Sequence, residues 1–254
     1  MILIADVHGA AEYMRRLVES LDQELLVLGD LINFTDYRTY EGILADLSGR
    51  DFVKQLVELR MAGRFDEARQ LWQKSAEGQE EELRARSIAL VEAAYSDIGA
   101  SLQGANAYVT YGNVDRVGVM KKHLPDDSIF VDHGVFEIEG WTVGIMGGGI
   151  KSGLNVPGEL TDVEMGERLE GLASADILCT HVAPAIPALQ RDVVGGMSKG
   201  SAAVLAHIER HQPRFHFFGD VHQPQASEWW VGDTLCRNVG YFRATGRGLH
   251  HPAR

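Results

Sequence analysis

Short apolar runs rich in valine, isoleucine and leucine recur along the chain and stop at glycine or polar residues. Each run is too short for a helix, so the pattern predicts buried strands, at residues 2–5, 25–28, 107–111, 135–138, 142–146, 177–180, 215–218 and 234–238. Stretches with helical spacing of apolar residues, such as residues 10–21, lie between several of these strands. The alternation predicts a layered α/β domain, and the paired strands near residues 135–146 predict sheets that are partly mixed.

Residues 37–100 depart from this alternation, because the segment is acidic, free of proline and helical in its spacing. Phe52, Leu56 and Leu59 share one helical face, and a second repeat of this kind follows over residues 65–72. A third helix is predicted over residues 80–97. Since no second copy of the segment exists, a repeat array is excluded. We predict a single domain over residues 1–254 with a helical insertion or cap at residues 37–100.

Polar residues of one chemical kind follow the ends of five predicted strands. In open α/β sheets the carboxyl ends of the strands open onto one crevice, so these residues can converge although they span most of the chain. Taken singly, each is equally well a turn cap or a satisfied polar residue. The residues are Asp6, His8, Asp30, Asn113, His181, Asp220 and His222.

Imidazoles, carboxylates and one amide oxygen form a donor set that suits divalent manganese, iron, zinc or nickel. Seven donors exceed the need of one tetrahedral ion and suit two ions that share a carboxylate. We therefore expect two divalent ions, with manganese as the first candidate.

The order of these motifs resembles that of the calcineurin-like metallophosphoesterases. Asp-x-His at residues 6–8 is followed by Gly-Asp at 29–30, Gly-Asn-x-Asp at 112–115, a lone His181 and Gly-x-x-His at 219–222. Each motif is weak alone, but five in this order are specific, and they cover residues 6 to about 238 apart from the insertion. The resemblance implies a four-layer α/β/β/α sandwich with a two-metal site that hydrolyses phosphoesters.

The resemblance also implies a role for each matching residue. Asp6, His8 and His222 correspond to ligands of the first metal, Asp30 to the bridging carboxylate, and Asn113 and His181 to ligands of the second metal. The implied reaction is in-line attack on phosphorus by a hydroxide held between the ions, without a covalent protein intermediate.

Two further residues near Asn113 are candidates for the reaction. Asp115 is expected to orient the Asn113 loop, with an ordinary turn cap as the alternative. Arg116 is expected to meet a substrate phosphate, with a surface salt bridge as the alternative. Together with Asp30 and Asn113, these are the predicted catalytic residues.

Val114 departs from the family pattern, which usually has a histidine assigned to the leaving group or the transition state at this position. Valine can neither donate a proton nor stabilise charge, and loss of a positioned general acid typically costs about 10²–10⁴-fold on a poor leaving group. The sequence therefore predicts a substrate with an acidic leaving group, or a donor from elsewhere. His123 and His133 are candidates by distance along the chain only, with a solvated surface role as the alternative.

Asp220 is the second departure, since the family usually has histidine there. Aspartate still ligates a metal, but the carboxylates of Asp6, Asp30 and Asp220 would balance two divalent ions and one hydroxide, leaving the centre neutral. A neutral centre favours a monoanionic diester over a dianionic monoester.

The stretch GGMSKGS at residues 195–201 resembles a P-loop only superficially, because it lacks the Gly-Lys-Ser/Thr ending, and it is left out of the site.

Composition and charge limit the partners. The chain has 36 acidic and 24 basic residues, a net charge of −12 and a pI near 5.3, which disfavours duplex nucleic acid and an anionic membrane surface as partners. Two cysteines cannot form a disulfide framework, and no basic segment precedes the first strand, so we expect a cytoplasmic protein. Oligomers remain possible.

The leading hypothesis is a phosphodiesterase that acts on a small or nucleotide-like phosphoester. One alternative is a phosphomonoesterase acting on proteins or nucleotides. The other is a protein that keeps the fold but works as a binding or scaffolding module, with the insertion as its contact surface, and it predicts lost metal ligands.

Overall fold

The computed structural model describes residues 1–152, 156–193 and 198–254. Its strands are β1 (Ile2–Ile4), β2 (Leu25–Leu28), β3 (Ala107–Thr110), β4 (Ser128–Phe130), β5 (His133–Ile138), β6 (Trp141–Met146), β7 (Gly149–Ile150), β8 (Glu159–Leu160), β9 (Ile177–Thr180), β10 (Ala183–Pro184), β11 (Gly200–Ser201), β12 (Phe215–Phe218), β13 (Glu228–Val231), β14 (Thr234–Asn238) and β15 (Leu249–His250). Each strand predicted from the apolar runs is present, with ends that shift by at most two residues. The short or polar strands β4, β7, β8, β10, β11, β13 and β15 were not predicted.

Helices connect most of these strands. They are α1 (Ala11–Glu19), α2 (Ile43–Ser48), α3 (Arg50–Met61), α4 (Phe65–Ala76), α5 (Glu80–Leu102), α6 (Val117–His123), α7 (Asp162–Leu169), α8 (Pro187–Gln190), α9 (Ala202–His211) and α10 (Phe242–Thr245), with a 3₁₀ turn at Glu170–Leu172. Among the described residues, no helix is both long enough and apolar enough to cross a lipid bilayer.

Two larger sheets form the centre of the molecule. In the first, the strand order is β15-β1-β2-β3-β4, and β1 to β4 run parallel. In the second, the order is β13-β14-β12-β9-β6-β5, with β6, β9, β12 and β14 parallel and β5 and β13 antiparallel at the edges. The sheets are therefore partly mixed, as the sequence predicts.

Apolar side chains from the two sheets pack directly against each other. Leu3 and Leu28 of the first sheet share one fully buried cluster with Ile145, Cys179 and Phe217 of the second. A separate cluster joins the first sheet to α1, α5 and α6, and another joins the second sheet to α7 and α9. This arrangement is a four-layer α/β/β/α sandwich, which confirms the predicted fold class.

The structure divides the predicted insertion into two parts. α2, α3 and α4 form their own apolar cluster, which includes Leu44, Val53, Leu56 and Ala68. The carboxyl-terminal half of α5 instead packs on the first sheet, where Tyr95 belongs to the core beside that sheet. The long helix α5 thus connects the separate helical unit to the sandwich and covers its sheet.

Candidate metal centre

The ends of five parallel strands bring the seven predicted ligands together. Asp6, Asp30 and Asp220 each lie two residues beyond the end of β1, β2 and β12, and His181 directly follows β9. Because parallel strands of one sheet end at the same edge, and the two sheets pack face to face, both edges contribute to one crevice. Residues that are far apart in sequence therefore lie within a few ångströms of one another.

The first group of donors consists of Asp6, His8 and His222, whose ligand atoms all lie within 4.8 Å of one another. His8 Nε2 is 3.1 Å from His222 Nε2, and Asp6 Oδ1 is 3.6 Å from His222 Nε2. Three donors of this kind in such proximity are the expected arrangement for a divalent transition metal.

The second group is arranged around His181, which is fully buried. His181 Nε2 lies 3.4 Å from Asn113 Oδ1, 3.6 Å from Asp30 Oδ1 and 3.9 Å from Asp220 Oδ1. The four residues assigned to the second metal and the bridge by the sequence are thus adjacent.

Asp30 lies between the two groups. Its Oδ1 faces His181 of the second group, while its Oδ2 is 3.6 Å from His8 Nε2 of the first. One carboxylate that presents an oxygen to each group is the geometry that a bridging ligand requires.

Backbone carbonyls determine which imidazole nitrogens face the crevice. His181 Nδ1 lies 2.7 Å from the Leu28 carbonyl oxygen, and His8 Nδ1 lies 3.3 Å from that of Ile32. Since a carbonyl oxygen only accepts, each Nδ1 carries the proton and donates it, and each Nε2 is directed inward. Imidazole nitrogens and carboxylate oxygens that converge in this way favour a cation between them, so the residues present fit a metal.

The electrostatic environment differs between the two histidines. Burial, reinforced by His222, lowers the pKa of His8 to about 3, so its imidazole is neutral and available as a ligand. Burial also opposes the charge of His181, but Asp30, Asp220 and Asp6 outweigh it and raise the pKa of that histidine to about 9. The crevice therefore stabilises positive charge near His181.

The carboxylates respond to the same environment. Burial alone would raise the pKa of Asp6, yet His222 and the other imidazoles lower it to about 2. For Asp30 burial prevails, and its pKa is raised because Asp6 and Asp220 add negative charge. A cation bound between these groups would relieve both the burial cost and the repulsion.

Four of the predicted ligands have a left-handed backbone. The φ angles are 57° at Asp6, 41° at His8, 53° at Asp30 and 62° at Asp220. This region is unfavourable for residues with a Cβ, and such residues persist where the surrounding structure holds them, often at functional sites.

Asp115 lies behind the Asn113 loop and does not line the crevice. Its carboxylate accepts hydrogen bonds from the backbone N–H groups of Leu31 and Gly112 and from the Tyr95 hydroxyl. Burial and the nearby Asp30 raise its pKa to about 6. These bonds tie the loop after β3 to the segment after β2, so Asp115 orients the loop rather than touching a substrate.

Arg116 also lies away from the predicted ligands. Its guanidinium lies over the Phe34 ring, 5.4 Å from the centroid, and it lines a second cavity between the helical unit and the sandwich. Arg116 is not among the described residues that line the cavity beside the predicted ligands.

A cavity of about 340 Å³ opens beside the predicted ligands. Besides predicted ligands, it is lined by Asn33–Arg38, by the end of α3 and by residues 150–152, 156 and 159. Val114 lines the cavity, whereas His123 and His133 do not. His123 pairs with Glu92, and His133 is exposed beside Asp132, so neither lies in place to protonate a leaving group.

Lys199 is a charged residue that lines this cavity, although no sequence motif predicted it to be part of the site. Its Nζ donates to Asp220 Oδ1 at 2.6 Å and to the Asp220 carbonyl at 3.1 Å. The residue belongs to the stretch at 195–201, of which 195–197 lie outside the described residues. Asp220 was the signal in the sequence, because an aspartate in place of a neutral histidine favours a nearby cation. No sequence pattern indicated which lysine or arginine would supply that cation.

Tyr241 is a second residue that the sequence did not indicate. Its ring stacks on His222 with the centroids 4.0 Å apart and the planes 5° from parallel, and it meets His8 edge-on at 5.8 Å. The stack fixes the orientation of the His222 imidazole, which is a candidate metal ligand.

Comparisons with known proteins give a likeness of fold. No protein-family model matches the chain, and no curated protein matches its sequence. One crystal structure shares 14% identity and a TM-score of 0.58, covering 95% of this chain and 90% of the other. The protein TT1561 of Thermus thermophilus shares 11% identity and a TM-score of 0.51, covering 100% of this chain and 98% of the other. At such identities these likenesses show the fold.

Proposed function

We propose, on the premise that this chain has the fold of the calcineurin-like metallophosphoesterases, that it hydrolyses phosphoesters with the help of two divalent metal ions. The observation that carries the proposal is the position of Asp30, whose two carboxylate oxygens face two separate groups of donors. Five other residues that match ligands of the family pattern lie around it, namely Asp6, His8, Asn113, His181 and His222.

Each part of the site has a task in this proposal. Two divalent ions would supply the Lewis acidity that activates water and neutralises phosphoryl oxygens. Asp6, His8 and His222 would hold one ion, and Asn113, His181 and Asp220 the other. The Asp115 carboxylate keeps the Asn113 loop in position through backbone bonds, which preserves the geometry that both ions need.

The lining of the cavity supports a small phosphodiester as the substrate. Phe34, Tyr37, Arg60, Ile150 and Val156 line it together with predicted ligands. A phosphoryl group held by the ligands would leave cavity surface for its ester groups to contact. Aromatic and cationic groups in the lining suit a nucleotide-like group.

A phosphomonoester is the second candidate, and Lys199 favours it. The charge of Lys199 offsets that of Asp220, so the centre with two divalent ions and one hydroxide would carry a positive charge rather than being neutral. The preference for a monoanionic substrate that a neutral centre would impose is therefore lost.

Activity measurements test the proposal. We expect metal-depleted protein to hydrolyse bis-p-nitrophenyl phosphate or p-nitrophenyl phosphate after manganese is added. Asn113→Ala should lower kcat about a hundredfold or more because a ligand beside His181 is lost. Asn106→Ala, which changes an exposed asparagine before β3, is the matched control and should keep full activity.

Absence of hydrolysis would contradict the proposal. If neither ester is hydrolysed with manganese, iron, zinc or nickel, the chain is not a phosphoesterase, and a binding or scaffolding role takes its place. Equal loss of activity in Asn106→Ala would show that the effect of Asn113→Ala comes from the fold rather than the site.

A further inference from the structure

Lys199 occupies an unusual position for a lysine. Its side chain is 25% exposed and lines the cavity together with Asp30, Asn113 and His222, while Asp220 beneath it is 3% exposed. A charged side chain in such a place costs free energy unless it is paired, and Asp220 supplies the partner. The pair is therefore part of the crevice and not a surface salt bridge.

The pair changes the charge of the second group of donors. An imidazole at residue 220 would be a neutral ligand, whereas aspartate adds one negative charge next to His181 and Asp30. The positive charge of the Lys199 ammonium, 2.6 Å from the same carboxylate, offsets this negative charge. Asp220 and Lys199 together have the formal charge of the histidine that the family pattern leads one to expect.

The ammonium also has capacity for a ligand. A lysine carries three N–H donors, and within the described residues two of them are engaged by Asp220, through Oδ1 and the backbone carbonyl. The third is left for an acceptor in the cavity. A non-bridging phosphate oxygen is an acceptor of the required charge.

We propose that Asp220 and Lys199 act as one charge-balanced unit, in which Lys199 is the fixed cation that allows a phosphate anion to bind beside the second group of donors. This inference rests on the proposed phosphoesterase function. Lys199 needs no proton transfer in this role. Its pairing with Asp220 raises its pKa against the opposing effect of burial, so the charge is retained at neutral pH.

The experiment measures metal content and phosphate binding instead of turnover. Full-length protein loaded with manganese is analysed for bound metal, and the dissociation constant of inorganic phosphate is measured by calorimetry. In Lys199→Met we expect wild-type manganese content but phosphate binding that is weaker by about tenfold or more, since one charged hydrogen bond and its field are lost. Lys199→Gln serves as a second neutral variant, and Lys199→Arg should retain most of the affinity.

Two further variants separate this role from a general effect of charge. Lys122→Met removes an exposed lysine of α6 that does not line the cavity, and it should bind phosphate nearly as wild type does. The double variant Asp220→His with Lys199→Met restores the overall charge without the pair. We expect it to bind phosphate more tightly than Lys199→Met alone.

Several results would overturn the inference. Unchanged phosphate affinity in Lys199→Met, an equal loss in Lys122→Met, or no recovery in the double variant would each show that the pair does not govern anion binding. Loss of manganese from Lys199→Met would show that Lys199 only positions Asp220 for the metal.

The test of the phosphoesterase function is independent of the test of the Asp220–Lys199 pair. Wild-type protein that binds phosphate through Lys199 but hydrolyses neither nitrophenyl ester would contradict the phosphoesterase and leave the charge pair standing. Hydrolysis together with unaltered phosphate binding in Lys199→Met would contradict the charge pair alone. Wild-type protein that binds neither manganese nor phosphate would contradict both.

Discussion

Val114 stands where a histidine is expected in the Gly-Asn-x-Asp motif, and the structure places it in the wall of the cavity. Its backbone N–H donates to Asp30 Oδ1 at 3.1 Å, so the main chain at this residue helps to orient the Asp30 carboxylate. That contribution does not depend on the side chain. Compared with the histidine of the family pattern, the valine lacks a polar group that faces the cavity.

A histidine at this position should change which esters react. We expect Val114→His to raise kcat/KM most for esters with weakly acidic leaving groups, where a positioned acid contributes up to about 10²–10⁴-fold. The measurement is the dependence of log kcat/KM on leaving-group pKa across a series of aryl phosphate esters, and the slope should become shallower. Val114→Ile is the control. A slope that stays the same in Val114→His would contradict this role for the position.

His216 illustrates a buried histidine with a structural role. The Thr180 hydroxyl donates to the Val182 carbonyl, so it accepts from His216 Nε2, and Nδ1 remains unprotonated with no partner among the described residues. Burial, with a smaller effect of His207, lowers the pKa of His216 from 6.5 to about 3. The unfolded chain therefore binds a proton at a pH where the folded chain does not.

The folded protein should accordingly lose stability in acid. Because the folded pKa is lowered, stability is complete above about pH 6.5 and falls towards pH 3 by about 1.4 kcal/mol per pH unit for this group. Urea unfolding of metal-free His216→Phe should show a pH slope that is smaller by this amount than that of the wild type. The exposed His133→Gln variant should keep the wild-type slope, and an identical slope in His216→Phe would contradict the assignment.

At the residue scale, the sequence indicated which candidate ligands lie close together but not the groups that surround them. Asp6, His8 and the other candidate ligands stand in motifs at strand ends, where position along the chain predicts position in space. Lys199 and Tyr241 stand in no motif, because each meets its partner only through the folding of segments distant in sequence. The sequence also could not tell that Asp115 faces inward while its neighbour Arg116 lies over the Phe34 ring.

At the scale of single elements, the loop after β3 brings its backbone close to two of the candidate ligands. Gly112 lies against Asp30 and His181, and a Cβ there would come within 2.6 Å of His181 Nε2 and closer still to Asp30 Oδ1. The loop is tied down from behind by Asp115. Glycine is therefore required here for space, because the bridging carboxylate occupies the volume of a side chain.

A single methyl group at this point should disturb the site. We expect Gly112→Ala to weaken manganese binding by about 10–100-fold while the protein still folds, since the added carbon displaces Asp30 or His181. Titration with manganese and a circular dichroism spectrum are the measurements. Gly118→Ala in α6 is the control, because no atom lies within 4 Å of its added Cβ. Equal affinity in both variants would contradict the crowding.

Strands were predicted correctly where the whole apolar run is buried. Prediction was less successful where one helix packs against different neighbours along its length. The runs behind β9 and β12 are buried on both faces, so their composition alone identified them. α5 was placed within the insertion because its amino-terminal part is acidic and exposed. Its later residues, such as Tyr95 and Ile98, belong to the core, and periodicity within one helix cannot tell which neighbour covers each end.

At the scale of the whole molecule, the candidate site joins the two sheets. Asp6, Asp30 and Asn113 follow strands of the first sheet, and His181 and Asp220 follow strands of the second. His181 also donates to the carbonyl of Leu28 in the other sheet. Ions bound in the crevice would connect the two halves of the sandwich and stabilise only the folded chain.

Metal binding should therefore raise the melting temperature. At manganese concentrations about a hundredfold above Kd, the stabilisation is about 2.7 kcal/mol, which corresponds to a rise in Tm of about 5–10 °C for a chain of this size. Scanning calorimetry with and without manganese is the measurement. Asp30→Asn should abolish the rise and the exposed Asp126→Asn should retain it; a rise of the same size in Asp30→Asn would show that the metal binds elsewhere.

The positive φ angles at Asp6, Asp30 and Asp220 mean that the backbone is strained at three of the candidate ligands. Glycine would relax each of these turns, at the expense of the carboxylate. A protein that serves solely as a platform for partners would gain stability by that exchange. This chain keeps the carboxylate at all three positions, which is what we expect if these side chains hold a cation.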